Sequence, residues 1–95
     1  MAKKIKVGII GAGQVSQLQH IPGAQQSPHA EVVAVADTSK ERCKEAAEKF
    51  NIPNTFSDHK DLLAMDEIDA VSIALPNFLH YPVTMDALKA GKHAM

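Results

Sequence analysis

Three short runs, "IKVGII" (Ile5 to Ile10), "EVVAVAD" (Glu31 to Asp37) and "DAVSIAL" (Asp69 to Leu75), are apolar with almost no polar alternation. That feature constrains the fold more than any other. A strand with one wet face alternates apolar and polar residues, whereas a strand covered by helices on both faces reads as a continuous apolar run. Such strands belong to parallel sheets, and parallel neighbours must be joined by long crossovers, usually helical.

The intervening segments supply the crossovers. Val15, Leu18 and Ile21 predict a helix from Gln14 to about Gln26, which Pro22 and Gly23 should kink or break. In "TSKERCKEAAEKFN", Thr38 and Glu41 stand at capping-box spacing. Cys43, Ala46, Ala47 and Phe50 then form one apolar stripe, and Asn51 and Pro53 close the helix. "NTFS" is a weak edge-strand candidate and "HKDLLAMD" a short helix. A last helix is expected from about Leu79 to Ala90, with Pro82 in its first turn and Gly91 as its stop, and "KHAM" begins another strand.

Alternating strands and helices predict an α/β fold, a doubly wound parallel sheet with helices on both faces. "NTFS" and "EVVAVAD" should lie on one side of "IKVGII" and "DAVSIAL" on the other. Ligands of such sheets bind beyond the carboxyl ends of the strands where the winding reverses. The turns "GAGQVS" and "LPNFLH" should therefore face each other across a crevice.

Composition narrows the function classes. The 95 residues make one domain, net charge −1, with charges interspersed. No basic stripe, aromatic ribonucleoprotein motif or zinc-finger spacing points to nucleic acid. No apolar run approaches the roughly 20 residues of a membrane span, and the amino terminus is not a signal peptide. Cys43, the only cysteine, cannot form an internal disulfide, which fits a reducing cytoplasm. His29, His59 and His93 have no partners at metal spacing, so no metal site is expected. Cys43 reads as core, and Asp58, Asp61, Asp66, Glu67 and Asp69 as solvated charges away from the crevice.

Gly11-Ala12-Gly13-Gln14-Val15-Ser16 nearly matches the G-x-G-x-x-G/A dinucleotide fingerprint, so the fold class is Rossmann-type. The first glycine permits the tight turn, the second admits a pyrophosphate to the backbone, and the helix amino terminus offers unpaired N–H donors. A packing turn without ligand has the same local signature. Asp37 ends the second run near the spacing of roughly 20 residues at which an acid bonds the adenosine ribose. It could equally stabilise the following helix dipole. An acid repels a 2′-phosphate and favours NAD, while Ser39, Lys40 and Arg42 leave NADP open.

"GIIGAGQVSQLQHIPG", "VVAVADTSKERCKEAAEKFNIP" and "DAVSIALPNFLHYPVTMDALKAGKHAM" together resemble the N-terminal domain of the Gfo/Idh/MocA oxidoreductases. That family includes glucose–fructose oxidoreductase and inositol dehydrogenases, and the likeness runs from Lys6 to Met95. The resemblance implies that Gly11, Gly13, Gln14 and Val15 form the pyrophosphate loop and that Asp37 is the ribose acid. Thr38 and Arg42 would line the adenine side, and Leu75, Pro76, Asn77 and His80 the nicotinamide half. His20 matches a histidine usual near the end of the first helix. Leu75 replaces the family's common Thr, and Ser16 its Ala or Gly.

By the same resemblance, "AGKH" leads into a strand ending in Glu-Lys-Pro, whose lysine takes part in catalysis. The sequence stops before it, so residues 1–95 are expected to be a truncated dinucleotide-binding domain, incomplete at its C-terminal end and lacking the family's substrate domain. The implied function is NAD(P) binding for hydride transfer on a sugar or cyclitol, without catalytic residues or turnover in this chain. Alternatives are a non-catalytic dinucleotide-binding module and a stand-alone folding fragment that self-associates through an exposed sheet edge. A methyltransferase would use a similar glycine loop, but "LPNFLH" argues against it.

Overall fold

The computed structural model of the chain describes residues 5–13, 17, 21–26, 28–75 and 77–94, without the side chains of 77–79. Five strands, β1 (Ile5–Ile10), β2 (Ala30–Ala36), β3 (Asn54–Phe56), β4 (Ala70–Ile73) and β5 (His93–Ala94), form one sheet in the order β3-β2-β1-β4-β5. Every pairing is parallel. The expected winding is therefore present, with the reversal between β1 and β4. Both the weak "NTFS" candidate and the strand begun by "KHAM" are strands, although Met95 lies outside the described residues.

The unalternated runs are buried because each face of the sheet has its own helix layer. Val7 and Ile9 point into a cluster with Ile21, Val35, Cys43 and Ala46, on the side of α1 (Ile21–Gln26) and α2 (Lys40–Phe50). Ile10 joins Leu62, Leu63, Val71, Ile73, Val83 and Ala87 on the side of α3 (His59–Leu63) and α4 (Asn77–Lys89). A bulge interrupts the β1–β2 ladder, where Val7 pairs with Val32 but Gly8 with Ala34. The extra residue, Val33, lets β2 feed Val32 and Val35 to one core and Val33, Ala34 and Ala36 to the other. Gly8 is the close-approach point of α3, since a Cβ there would stand 2.6 Å from Leu62 Cδ2.

Pro22 and Gly23 lie within α1, the described part of the helix expected from Gln14; helical φ suits proline, and the segment is secured by fully buried Ile21 and by Gln25 Nε2 donating to Phe50 O at 2.7 Å. Two expectations need correction. The cap of α2 is Ser39, not Thr38: Ser39 is extended, with Oγ accepting from Arg42 N at 3.4 Å. Asp37 decides this by holding Ser39 N at 2.8 Å. Finally, α4 begins at Asn77, so Pro82 falls inside the helix rather than in its first turn. Thr84 Oγ1 donates back to His80 O at 2.7 Å, a bond that helps a helix bend around such a position.

The stops follow their residues. Asn51 takes the left-handed conformation (φ 56°) and its N–H returns to Ala47 O. Gly91 does the same after α4 (φ 78°), with Lys92 N donating to Ala87 O at 3.0 Å.

Candidate functional site

The site begins where β1 ends. Gly11 has φ 105°, and its N–H donates to Ala36 O at 2.8 Å, extending the ladder one residue past β1. A Cβ on it would lie 2.4 Å from Ala74 O and 3.2 Å from Leu75 Cδ2. Glycine is required twice over, by conformation and by the contact between the turns that follow β1 and β4. The described starts of the two turns, Gly11 and Leu75, do meet, as the winding predicts. Gly13 differs: a Cβ there meets no described atom within 4 Å. Among the described residues, none crowds Gly13, where the fingerprint calls for a pyrophosphate.

Ala12, between the glycines, is fully buried and fixed from two sides. Its N–H donates to Asp37 Oδ2 at 2.7 Å, and its carbonyl accepts from Gln17 Nε2 at 2.9 Å. Gln17 is itself buried, and its backbone N–H donates to Gly13 O at 3.0 Å. Asp37 Oδ1 meanwhile accepts from Ser39 N. One carboxylate therefore locks the glycine turn to the end of β2 and arranges the cap of α2. With one bond to each oxygen among the described residues, a carboxylate can accept further, as a pair of ribose hydroxyls would require.

Beside Asp37 opens a cavity of about 410 Å³. Ile10, Ala36, Leu75 and Val83 give it apolar walls, and Thr38, Ser57, Asp58, His59 and Lys60 a polar rim. Its volume and mixture suit an adenosine-sized group. Asp58 corrects a sequence expectation: it lines this crevice and caps α3, its carboxylate accepting from Lys60 N at 2.9 Å. His59 Nε2 stands 2.8 Å from Asp86 Oδ2 of α4. The hydrogen bond from His59, opposed by some desolvation, holds the Asp86 carboxyl below the usual carboxylate range.

Of the expected cofactor residues, Asp37, Thr38 and Leu75 line this cavity; Gly11 abuts Leu75, and Gly13 is not among the lining residues. Arg42 and His80 are exposed and do not line the cavity, and His80 Nδ1 lies 3.4 Å from Thr84 Oγ1. Asn77 opens the α4 backbone. Gln14, Val15, Ser16, His20 and Pro76 lie outside the described residues. Gln17, Asp58 and His59 were missed, because nothing in local spacing marks a buried glutamine under a turn or a helix start swung into a crevice.

Cys43 is a core thiol. Its Sγ lies 3.4 Å from Val35 O and 3.5 Å from Phe56 O, and burial pushes it above the ordinary thiol value. Among the described residues no three His, Cys, Asp or Glu side chains converge as metal donors, and no helix is long and apolar enough to cross a membrane.

Sheet order, glycine turn and strand-end acid together define an NAD(P)-binding Rossmann domain. The family model of the GFO_IDH_MocA oxidoreductases, an oxidoreductase family with an NAD-binding Rossmann fold, matches residues 5–95, and the chain belongs to that family. It is 37% identical over 93 residues to dTDP-3,4-didehydro-2,6-dideoxy-alpha-D-glucose 3-reductase of Streptomyces violaceoruber, covering 98% of this chain and 27% of that protein. A 3-ketoreductase from Actinomadura kijaniata, solved with NADP and TDP-benzene in an open conformation, superposes with TM-score 0.92 at 33% identity, covering 98% of this chain and 29% of the other. The scyllo-inositol dehydrogenase of Lactobacillus casei with NAD(H) and scyllo-inositol gives TM-score 0.88 at 31% identity, with coverage of 97% and 27%. The chain thus spans only about a quarter to three-tenths of the length of these relatives.

Proposed function

We propose that residues 1–95 form the cofactor-holding domain of an NAD(P)-dependent oxidoreductase acting on a sugar or cyclitol. The observation that carries this is the bond from Ala12 N, between the two glycines, to Asp37 Oδ2, which ties the glycine turn to the strand-end acid beside the cavity. The relatives named for sugar-nucleotide reduction and inositol oxidation support the substrate class.

The nicotinamide of the cofactor supplies the hydride chemistry, and the chain's residues bind and orient. Gly13, Gln14 and Val15 receive the pyrophosphate on backbone N–H groups, and Gly11, whose own N–H is bound to Ala36 O, shapes the turn that presents them. Asp37 accepts from the adenosine ribose hydroxyls while its bonds to Ala12 N and Ser39 N hold it in place. Thr38, at the rim of the cavity, and Arg42, on α2, serve the adenine side. Leu75, Pro76, Asn77 and His80 lead toward the nicotinamide. NAD is the favoured cofactor, because the fixed Asp37 carboxylate would repel a 2′-phosphate. Substrate contacts and the catalytic lysine belong to the remainder of the family's architecture, and the working compartment is the cytoplasm.

A ¹H–¹⁵N correlation titration with NADH and then NADPH tests the reading. Saturable shifts confined to Gly11–Gly13, Asp37–Ser39 and Leu75–His80, stronger with NADH, are expected. Dispersed spectra that ignore both cofactors would overturn it.

A further inference from the structure

A second carboxylate, Asp58, lines the cavity beside Asp37. The pairing of β2 with β3 sets the two acids side by side. Ala36 stands opposite Phe56 in the parallel ladder, and Asp37 N then donates to Phe56 O at 3.1 Å. Ser57 and Asp58 therefore leave β3 next to the point where Asp37 leaves β2. One oxygen of Asp58 is committed to the start of its own helix: Oδ1 accepts from Lys60 N at 2.9 Å, and His59 Nδ1 stands 3.7 Å from it. No bond to Asp58 Oδ2 occurs among the described residues, and the side chain is 55% exposed.

We propose that Asp58 is a specificity-determining residue for the base of the dinucleotide: its uncommitted oxygen accepts the exocyclic amine of adenine, so the cavity takes a 6-aminopurine in preference to a 6-oxopurine. This rests on the cofactor-holding function proposed above, which puts the ribose on Asp37 and so sends the base into the cavity that Asp37 and Asp58 share.

The chemistry of the rim singles Asp58 out. A purine has apolar faces, which Ile10, Leu75 and Val83 suit, and polar edges that need partners. Along the edge formed by position 6 and N7, adenine offers one donor and one acceptor, whereas an oxopurine offers two acceptors. An ionised carboxylate only accepts, so it bonds the amine and repels the oxo oxygen. The hydroxyls of Thr38 and Ser57 can donate or accept and tell the two bases apart poorly. Asp37 already accepts from Ala12 N and Ser39 N and meets the ribose, and His59 Nε2 is taken up by Asp86 Oδ2 at 2.8 Å. Lys60, a donor only, would favour the oxo base, but it also lines the groove that holds Asp86.

The test is a calorimetric titration of the chain at neutral pH with NADH and with its deaminated analogue, in which hypoxanthine replaces adenine and nothing else changes. Wild type, Asp58→Ser and Asp58→Asn are compared. Serine and asparagine cap helices about as well as aspartate, so both variants keep the start of α3, and their thermal midpoints confirm it. Wild type should bind NADH about fivefold to tenfold more tightly than the analogue, the low end of what one base contact discriminates, because Asp58 is half exposed. Asp58→Ser should abolish the preference. Asp58→Asn, whose carbonyl can keep the cap while its NH₂ donates to the oxo oxygen, should abolish or reverse it. Wild type that binds both ligands equally, or prefers the analogue, overturns the inference and leaves the proposed function standing. So does a wild-type preference that persists in either variant, since another group then reads the base. Wild type that binds neither ligand would instead fell the proposed function, and this inference with it.

Discussion

Gly11 and Gly13 look equivalent in sequence and carry different physical burdens. At Gly11 any side chain meets both a positive φ and the Ala74 carbonyl, so Gly11→Ala should destabilise the chain by about 2 kcal/mol or more, read as a shift in the urea midpoint. Gly13→Ala should leave that midpoint nearly unchanged, since its methyl meets no described atom within 4 Å, and weaken dinucleotide binding at least about tenfold if the proposed function is right. Equal destabilisation by the two would show that the turn is only a bend. Asp37 is constrained from both ends. Its oxygens accept from Ala12 N and Ser39 N, so in Asp37→Asn one of these donors must confront an amide NH₂. A loss of about 1–3 kcal/mol in stability is expected with the loss of binding, and calorimetry on the free variant separates the two.

Among the elements, β1 and α3 meet where Gly8 leaves no room. Gly8→Ala should cost about 1–3 kcal/mol by overpacking against Leu62 and Ile68, and Leu62→Ala in the same chain should recover part of that loss if the clash is its cause. The α3–α4 link has a pH signature of its own at the acid end. Asp86 is held below the usual carboxylate range by His59, so the folded state takes up its proton less readily than the unfolded state. Its contribution is thus fully present above the ordinary carboxylate range and lost as pH falls through the lowered value. The stability difference between wild type and Asp86→Asn should shrink on acidification below about pH 4. A difference constant from neutral to strongly acid conditions would contradict the His59–Asp86 bond.

At the scale of the whole molecule, the strand runs, their order and the position of the crevice were legible in the sequence. "IKVGII" is unalternated because both its faces are covered, and Gly11 sits where the chain must turn at φ 105°. These properties are local, written in composition and short spacing. What the tertiary structure alone decided is which residues meet. The Ala12–Asp37 bond joins positions 25 apart and the His59–Asp86 bond positions 27 apart, each brought together by the parallel winding rather than by any periodic pattern. The cap of α2 passed from Thr38 to Ser39 because Asp37 was already holding Ser39 N, and Asp58 and His59 entered the crevice because β3 delivers α3 beside the end of β2. Local chemistry thus determined the elements and the glycine turn. Long-range hydrogen bonds, paid for by the closure of those crossovers, decided how the turn is locked and what walls the cavity beside it.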